Sequence, residues 1–221
     1  MLRSLVPSVL PRRSAYPPLD LTQPASAMQA SLRQNAQVSS PRYVSPEWSN
    51  MDQMKRFVEA VESSLAIQNW HSALFTALPL PDVCGKADSP NSSSRQRYVD
   101  FFSRFMADIY TNRVGPDREK IVLLNGEDFY ALRCAFLHEG SGDISQQRAQ
   151  QVLSEYQFVA PEEGFVIHRN RFDDTLQLQV DIFCKEICDG VEQWNATTGQ
   201  KSDVEARLDD LLTIYSLNAN T

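Results

Sequence analysis

Asn125-Gly126-Glu127-Asp128-Phe129-Tyr130-Ala131-Leu132-Arg133-Cys134-Ala135-Phe136-Leu137-His138-Glu139-Gly140 reads as one helix with both ends marked. Asn125 is a good N-cap, and Asp128, three residues on, favours the free amides of the first turn. Phe129, Leu132 and Phe136 supply the buried side. Gly140 is a natural stop, because glycine takes the left-handed conformation that ends many helices at little cost. Two side chains here bear chemistry, Arg133 and His138. A helix advances about 100° per residue, so the two point about 140° apart on a straight helix. A site using both is therefore expected to need a frayed helix end or a second copy of the segment from a partner subunit.

Working outward toward the N-terminus, Met54, Phe57, Val58, Val61 and Leu65 form a stripe that one helix face can bury after a Ser49 or Asn50 cap. Trp70, Ala73, Leu74, Ala77 and Leu78 repeat the pattern in a shorter helix, which Pro79 and Pro81 are expected to stop. A polar loop from Gly85 to Ser94 is expected next. Tyr98, Phe101, Phe102, Phe105, Met106 and Ile109 then make the most apolar helix of the chain. Its aromatic stripe reads as core, because aromatics that stack on RNA bases are usually displayed on sheets or loops.

Beyond Gly142 the pattern changes. Ser145 can cap a helix with Ala149, Val152, Leu153 and Tyr156 on its apolar side, and two extended segments are expected after it, Phe165 to His168 and Thr175 to Val180. In the second, Leu176, Leu178 and Val180 alternate with Gln177 and Gln179, the mark of a half-exposed strand, and Arg169 to Asp174 reads as a hairpin connection. Phe183, Ile187, Val191 and Trp194 return to helical register. A last helix opens on a Ser202 to Glu205 capping box and presents Val204, Leu208, Leu211, Leu212 and Tyr215. The expected fold is mainly α, a helical bundle with a small antiparallel β element inserted before its last two helices.

The first 46 residues stand apart. They hold seven of the twelve prolines, and their only acid, Asp20, sits among Arg3, Arg12, Arg13, Arg33 and Arg42. Such a segment buries too little apolar surface to offset the entropy of ordering it. A disordered Pro/Arg-rich extension over 1–46 and a single domain over 47–221 are expected. The same composition fits a mitochondrial presequence or, in a bacterial chain, an upstream start, since Met51 and Met54 sit where the first helix begins. From residue 47 onward, 16 basic residues stand against 27 acidic ones. That balance repels phosphate at long range, so an RNA substrate would need a local basic cleft, for which Arg95, Arg97, Arg133, Arg169 and Arg171 are the candidates.

The cysteines at 84, 134, 184 and 188 show no Cys-x-x-Cys spacing, and Cys134 and Cys184 fall in apolar helical patterns. Reduced core thiols in a cytoplasmic protein are expected. Cys184 and Cys188 would share a helix face, but no third or fourth ligand is near, so no metal site is expected. No run of about 18 apolar residues suggests a membrane span. Structural roles compete for each polar candidate. Arg133 can tie to a carboxylate such as Asp82 or Glu127, and His138 can bond the free carbonyls of a helix end. His71, beside Trp70, and His168, in an extended segment, read as structural. The Asp82-Val83-Cys84-Gly85-Lys86 turn mixes charge with a flexible glycine, and either lines a site or ends a helix.

The Arg133 to His138 segment carries an Arg-x4-His spacing and resembles the motif of the HEPN superfamily. Residues 51 to 140 plus the last two helices are similar to a HEPN domain in size and order. The strings Asn69 to Leu74, Leu80 to Lys86 and Leu132 to Gly140 also resemble a group of bacterial hypothetical proteins. The resemblance implies a ribonuclease that needs no metal or cofactor. It further implies a homodimer whose two motifs meet in a cleft, with an RNA substrate. Many such enzymes act in toxin–antitoxin or phage-defence systems, which adds an antitoxin or regulatory protein as an expected partner. In that reading His138 is the general base or acid, and Arg133 holds the phosphate. Glu139, Asp82 and Lys86 are the candidate substrate-binding residues. The family often places Asn or Asp directly after the arginine, where this chain has Cys134. Some HEPN-like proteins are instead catalytically silent modules that bind a protein partner or a nucleotide, and that alternative stays open beside a purely structural accessory role.

Overall fold

The structure, a computed structural model, describes residues 53–145, 147, 151 and 153–211. The expected extension over 1–46 lies outside the described residues. The first helix, α1 (Gln53–Ala66), buries Met54, Val58 and Val61 as its stripe predicts. Asn69 caps α2 (Trp70–Ala77), its side-chain oxygen accepting from the Ser72 amide at 3.2 Å.

Pro79 and Pro81 do not lead into a loop. A further helix, α3 (Leu80–Asp88), begins there with proline in its first turn, where the missing N–H would have had no partner anyway. Asp82, Gly85 and Lys86 thus lie on a helix, and the expected turn is corrected. Gly85 is there for close approach: a Cβ on it would stand 2.5 Å from the Cβ of Arg97 on α4 (Ser94–Phe105). Gly85→Ala should push α3 off α4 and lower stability in urea unfolding by about 1–3 kcal/mol. An unchanged midpoint would show that the two helices part at no cost.

On α4, Tyr98, Phe101 and Phe102 are buried. Tyr98 and Phe102 pack on Phe129 at centroid distances of 5.4 and 5.7 Å, so the aromatic stripe is core. An antiparallel hairpin follows that the patterning did not suggest, β1 (Thr111–Val114) with β2 (Glu119–Val122). Nearly every residue in it is exposed, so neither strand has the half-buried alternation that marks one in sequence.

Helix α5 (Gly126–Glu139) is bounded as read. The Asn125 side chain accepts from the Asp128 amide at 2.8 Å, and Gly140 ends the helix with φ of 66°. Asp128 does more than favour the first turn. It is fully buried, and its carboxylate accepts from the Gln151 amide at 2.6 Å.

The helix expected after Ser145 is overturned where it is described; Ala149 and Val152 lie outside the described residues. Tyr156 belongs to a strand, β3 (Glu155–Val159), entered through Ile144 N–H to Ser154 O at 2.9 Å and Tyr156 N–H to Gly142 O at 2.8 Å. The alternation of Tyr156 and Phe158 with Glu155 and Gln157 suits a strand better than a helix. Phe165 to His168 is not a strand. The antiparallel partner of β5 (Thr175–Gln179) is β4 (Asn170–Phe172), from the stretch read as a connection. A two-residue turn, with Asp173 at φ of 52°, joins them. β3 pairs parallel to β5, with Tyr156 opposite Leu176 and Phe158 opposite Leu178, so the sheet has the order β3-β5-β4 and is mixed, not purely antiparallel.

Helix α6 (Val180–Trp194) buries Phe183, Ile187, Val191 and Trp194 and packs against α1, α2, α3 and α4. After a π-helical turn, α7 (Ser202–Asp209) buries Val204 and Leu208. Ser202 is its first helical residue, and Lys201 holds the cap position without a side-chain bond, so the capping box is not formed. Leu212 and Tyr215 lie outside the described residues. The described residues are mostly helical, with one two-stranded and one three-stranded sheet among them. Among the described residues, no helix is long and apolar enough to cross a membrane.

Candidate active site

Arg133 and His138 meet. The Arg133 Nη1 lies 3.2 Å from His138 Nε2 at the C-terminal end of α5. The 140° between their Cβ directions is bridged within one chain by the length of the arginine side chain, with no break in the helix. Neither of the expected devices, frayed end or partner copy, is needed for contact. Guanidinium has no acceptor, so Nε2 receives this hydrogen bond and the imidazole proton sits on Nδ1. His138 is exposed and Arg133 half-buried.

Arg133 is not neutralised by a carboxylate. Asp82 Oδ1 accepts from Arg97 Nε at 2.6 Å and its Oδ2 from the Ser94 hydroxyl at 2.9 Å, while Glu127 takes Arg95 at 2.6 Å. Both expected partners are therefore occupied elsewhere, and among the described residues Arg133 makes no ion pair. Its Nε is buried with no hydrogen-bond partner among the described residues. Burial works hardest against the cation, but the Tyr98 hydroxyl, Cys134 and the charge of Asp82 outweigh it and hold the guanidinium above its ordinary range. Burial pushes the Tyr98 phenol well up, and its hydroxyl donates to Leu78 O. Tyr130 is raised first by its hydrogen bond with Cys134 and then by burial. Tyr98 was read in sequence only as core, and Tyr130 was not singled out, although it lies three residues before Arg133 and shares its side of the helix.

No protein-family model matches this chain, and neither does any curated protein or any solved structure.

The remaining candidates are dispersed. Glu139 is exposed beside His138, and its Oε1 accepts from Gln147 Nε2 at 3.0 Å. Lys86 donates to Pro90 O at 2.7 Å. Asp82 and Lys86 line a groove of about 520 Å³ with Arg97, Arg207 and Leu211, which Arg133, His138 and Glu139 do not line. Asp82 reaches Arg133 only through its charge. Of the other arginines expected for a basic cleft, Arg95 and Arg97 are salt-bridged on α4, while Arg169 donates to Ile109 O and Arg171 to Val122 O. His71 is exposed, and His168 is half-buried with its ring nitrogens bonded to Glu186 and the Gln179 amide. Among the described residues, no group of three or more His, Cys, Asp or Glu side chains is placed to hold a metal ion.

Cys84, Cys184 and Cys188 are buried as expected. Cys134 is not core. It is half-buried beside Arg133 and Tyr130. Burial raises the Cys184 thiol far above its usual value and pushes Cys188 up to about 12. Thiolate is the reactive form, so a disulfide reagent at pH 8 should modify Cys134 first in the native protein. Peptide mapping that finds Cys84, Cys184 or Cys188 modified at the same rate would contradict this packing.

Proposed function

We propose that this chain is a HEPN-type endoribonuclease that cleaves RNA by transesterification at Arg133 and His138. The observation that carries the reading is the 3.2 Å contact between a guanidinium free of any carboxylate and an exposed imidazole whose Nε2 is an acceptor. That Nε2 takes the proton of a ribose 2′-hydroxyl. The 2′ oxygen forms its bond to phosphorus, the bond from phosphorus to the 5′ oxygen breaks, and the imidazolium of this or a second copy protonates the leaving oxygen. Products are a 2′,3′-cyclic phosphate and a 5′-hydroxyl. Nε2 has a single lone pair, so the guanidinium first moves from it to the phosphate, which frees Nε2 for the 2′ proton and offsets the growing negative charge. The chemistry asks for no metal. A homodimer, an antitoxin or regulatory protein, and a role in toxin or phage-defence biology belong to the same proposal.

One observation favours a second reading, a silent module that docks a protein partner. Phe165, Val166 and Phe172 are 68%, 73% and 60% exposed near one another in sequence, and exposed apolar clusters mark interaction surfaces. Incubating total RNA with purified protein in EDTA separates the two. Cleavage leaving cyclic phosphate ends, present in wild type and lost in Arg133→Ala/His138→Ala, supports the nuclease. Equal cleavage by both proteins, or none by wild type, sinks it.

A further inference from the structure

An RNA strand needs cations besides Arg133 that are not already neutralised, and α4 and α5 do not offer them: Arg95, Arg97 and Arg104 are all salt-bridged. The β1–β2 hairpin does. Its register sets Arg113 directly opposite Lys120, and Thr111 opposite Val122. Side chains alternate across a strand, so Thr111, Arg113, Lys120 and Val122 share one face, which carries two cations and no acid. Glu119 falls on the other face with Asn112, Val114 and Ile121. Like charges directly opposite disfavour a hairpin, and both side chains are exposed with no ion pair among the described residues. Arg118 closes the loop with φ of 52°, a conformation that glycine or asparagine adopts more readily, and it too has no ion pair among the described residues. At the root, Arg171 donates to Val122 O at 3.4 Å.

Three cations with no ion pair among the described residues are thus kept on one exposed hairpin, beside two acids, Asp117 and Glu119, against both pairing and backbone preference. We infer that this hairpin binds the phosphate backbone of a single-stranded RNA. The inference rests on the nuclease reading and deepens it. His138 lies in the last turn of α5, 12 residues on from its first residue Gly126, a span of about 18 Å by helical rise, so a strand held on Arg113 and Lys120 can run several nucleotides on to the scissile bond. Sequence preference is not expected from such contacts, because phosphate contacts position a strand without reading its bases.

The test uses a labelled 20-nucleotide 2′-O-methyl RNA, which cannot undergo 2′ attack, so binding is read separately from cleavage. Anisotropy titrations of the full chain over a range of salt should show Arg113→Glu/Lys120→Glu weakening affinity by about tenfold or more. The slope of log K against log salt should shrink by about 1.4, at roughly 0.7 per lost contact on a single strand. Arg118→Gly should weaken binding about twofold to threefold while its melting midpoint holds or rises, a combination that misfolding would not give. The swap Arg113→Lys/Lys120→Arg should retain binding. Unchanged affinity and slope in the charge-reversed variant would overturn the inference. So would a swap as damaging as the reversal, tighter binding of DNA of the same sequence, or no binding by wild type. A chain that binds through the hairpin yet cuts no RNA would instead leave this inference standing and remove the nuclease.

Discussion

His138→Ala will slow RNA cleavage by about 10²–10⁴-fold, the range that a positioned acid or base contributes, and will leave the unfolding midpoint in place. The imidazole is exposed, and among the described residues its one side-chain hydrogen bond is to Arg133. Removing it takes little from the core, so the stability change should stay within about 0.5 kcal/mol. The loss should fall on kcat with KM nearly constant, because the proton is transferred only on the way to the transition state. Arg133→Lys should separate the two roles. Lysine keeps the charge but not the planar fork that can serve imidazole and phosphate in turn, so the variant should bind RNA and cut it slowly. Single-turnover cleavage of a short RNA checks both. An unchanged rate in His138→Ala would take His138 out of the mechanism.

The helices were legible because their signals are local. Asn125 and Gly140 mark the ends of α5, and the stripe from Met54 to Val61 gives α1 by spacing alone. The sheet was legible only in β5, where Leu176 and Leu178 alternate with glutamines. β3 was lost because the apolar residues from 149 to 156 also fit a helical spacing, and a parallel partner twenty residues away leaves no local mark. The β1–β2 hairpin has almost no buried side and so no pattern at all. Pro81 misled for a similar reason: proline ends one helix and starts the next with the same residue, and only the packing of Gly85 on Arg97 decides. The candidate pair itself was legible as spacing. Its contact was not, since Cβ directions ignore side-chain reach, and the pairing of Asp82 and Glu127 with other arginines is a tertiary fact.

Glu186→Ala is expected to cost about 3 kcal/mol of stability, by far the larger part from donors left unpaired rather than from lost packing. Glu186 lies on α6 with its side chain 11% exposed. One carboxylate oxygen accepts from the Tyr110 hydroxyl and the other from His168 Nε2 at 3.1 Å, with Arg169 Nε at 4.0 Å. His168 Nδ1 accepts from the Gln179 amide at 3.3 Å, so the ring is neutral with its proton on Nε2, aimed at Glu186. Burial first, and Glu186 second, holds the Tyr110 phenol well above its usual range, which keeps it a donor. Alanine strands both donors inside the domain. Glutamine keeps one acceptor oxygen and should cost less than alanine, whereas a surface ion pair would make the two changes alike and small. The consequence reaches the hairpin. Tyr110 directly precedes β1, and Arg169 donates to Ile109 O at 2.6 Å, so the carboxylate ties the root of the hairpin to α6. Amide exchange over residues 110–123 should quicken in Glu186→Ala beyond what global destabilisation predicts. A loss below about 0.5 kcal/mol, with exchange unchanged there, would mean that the cluster holds nothing.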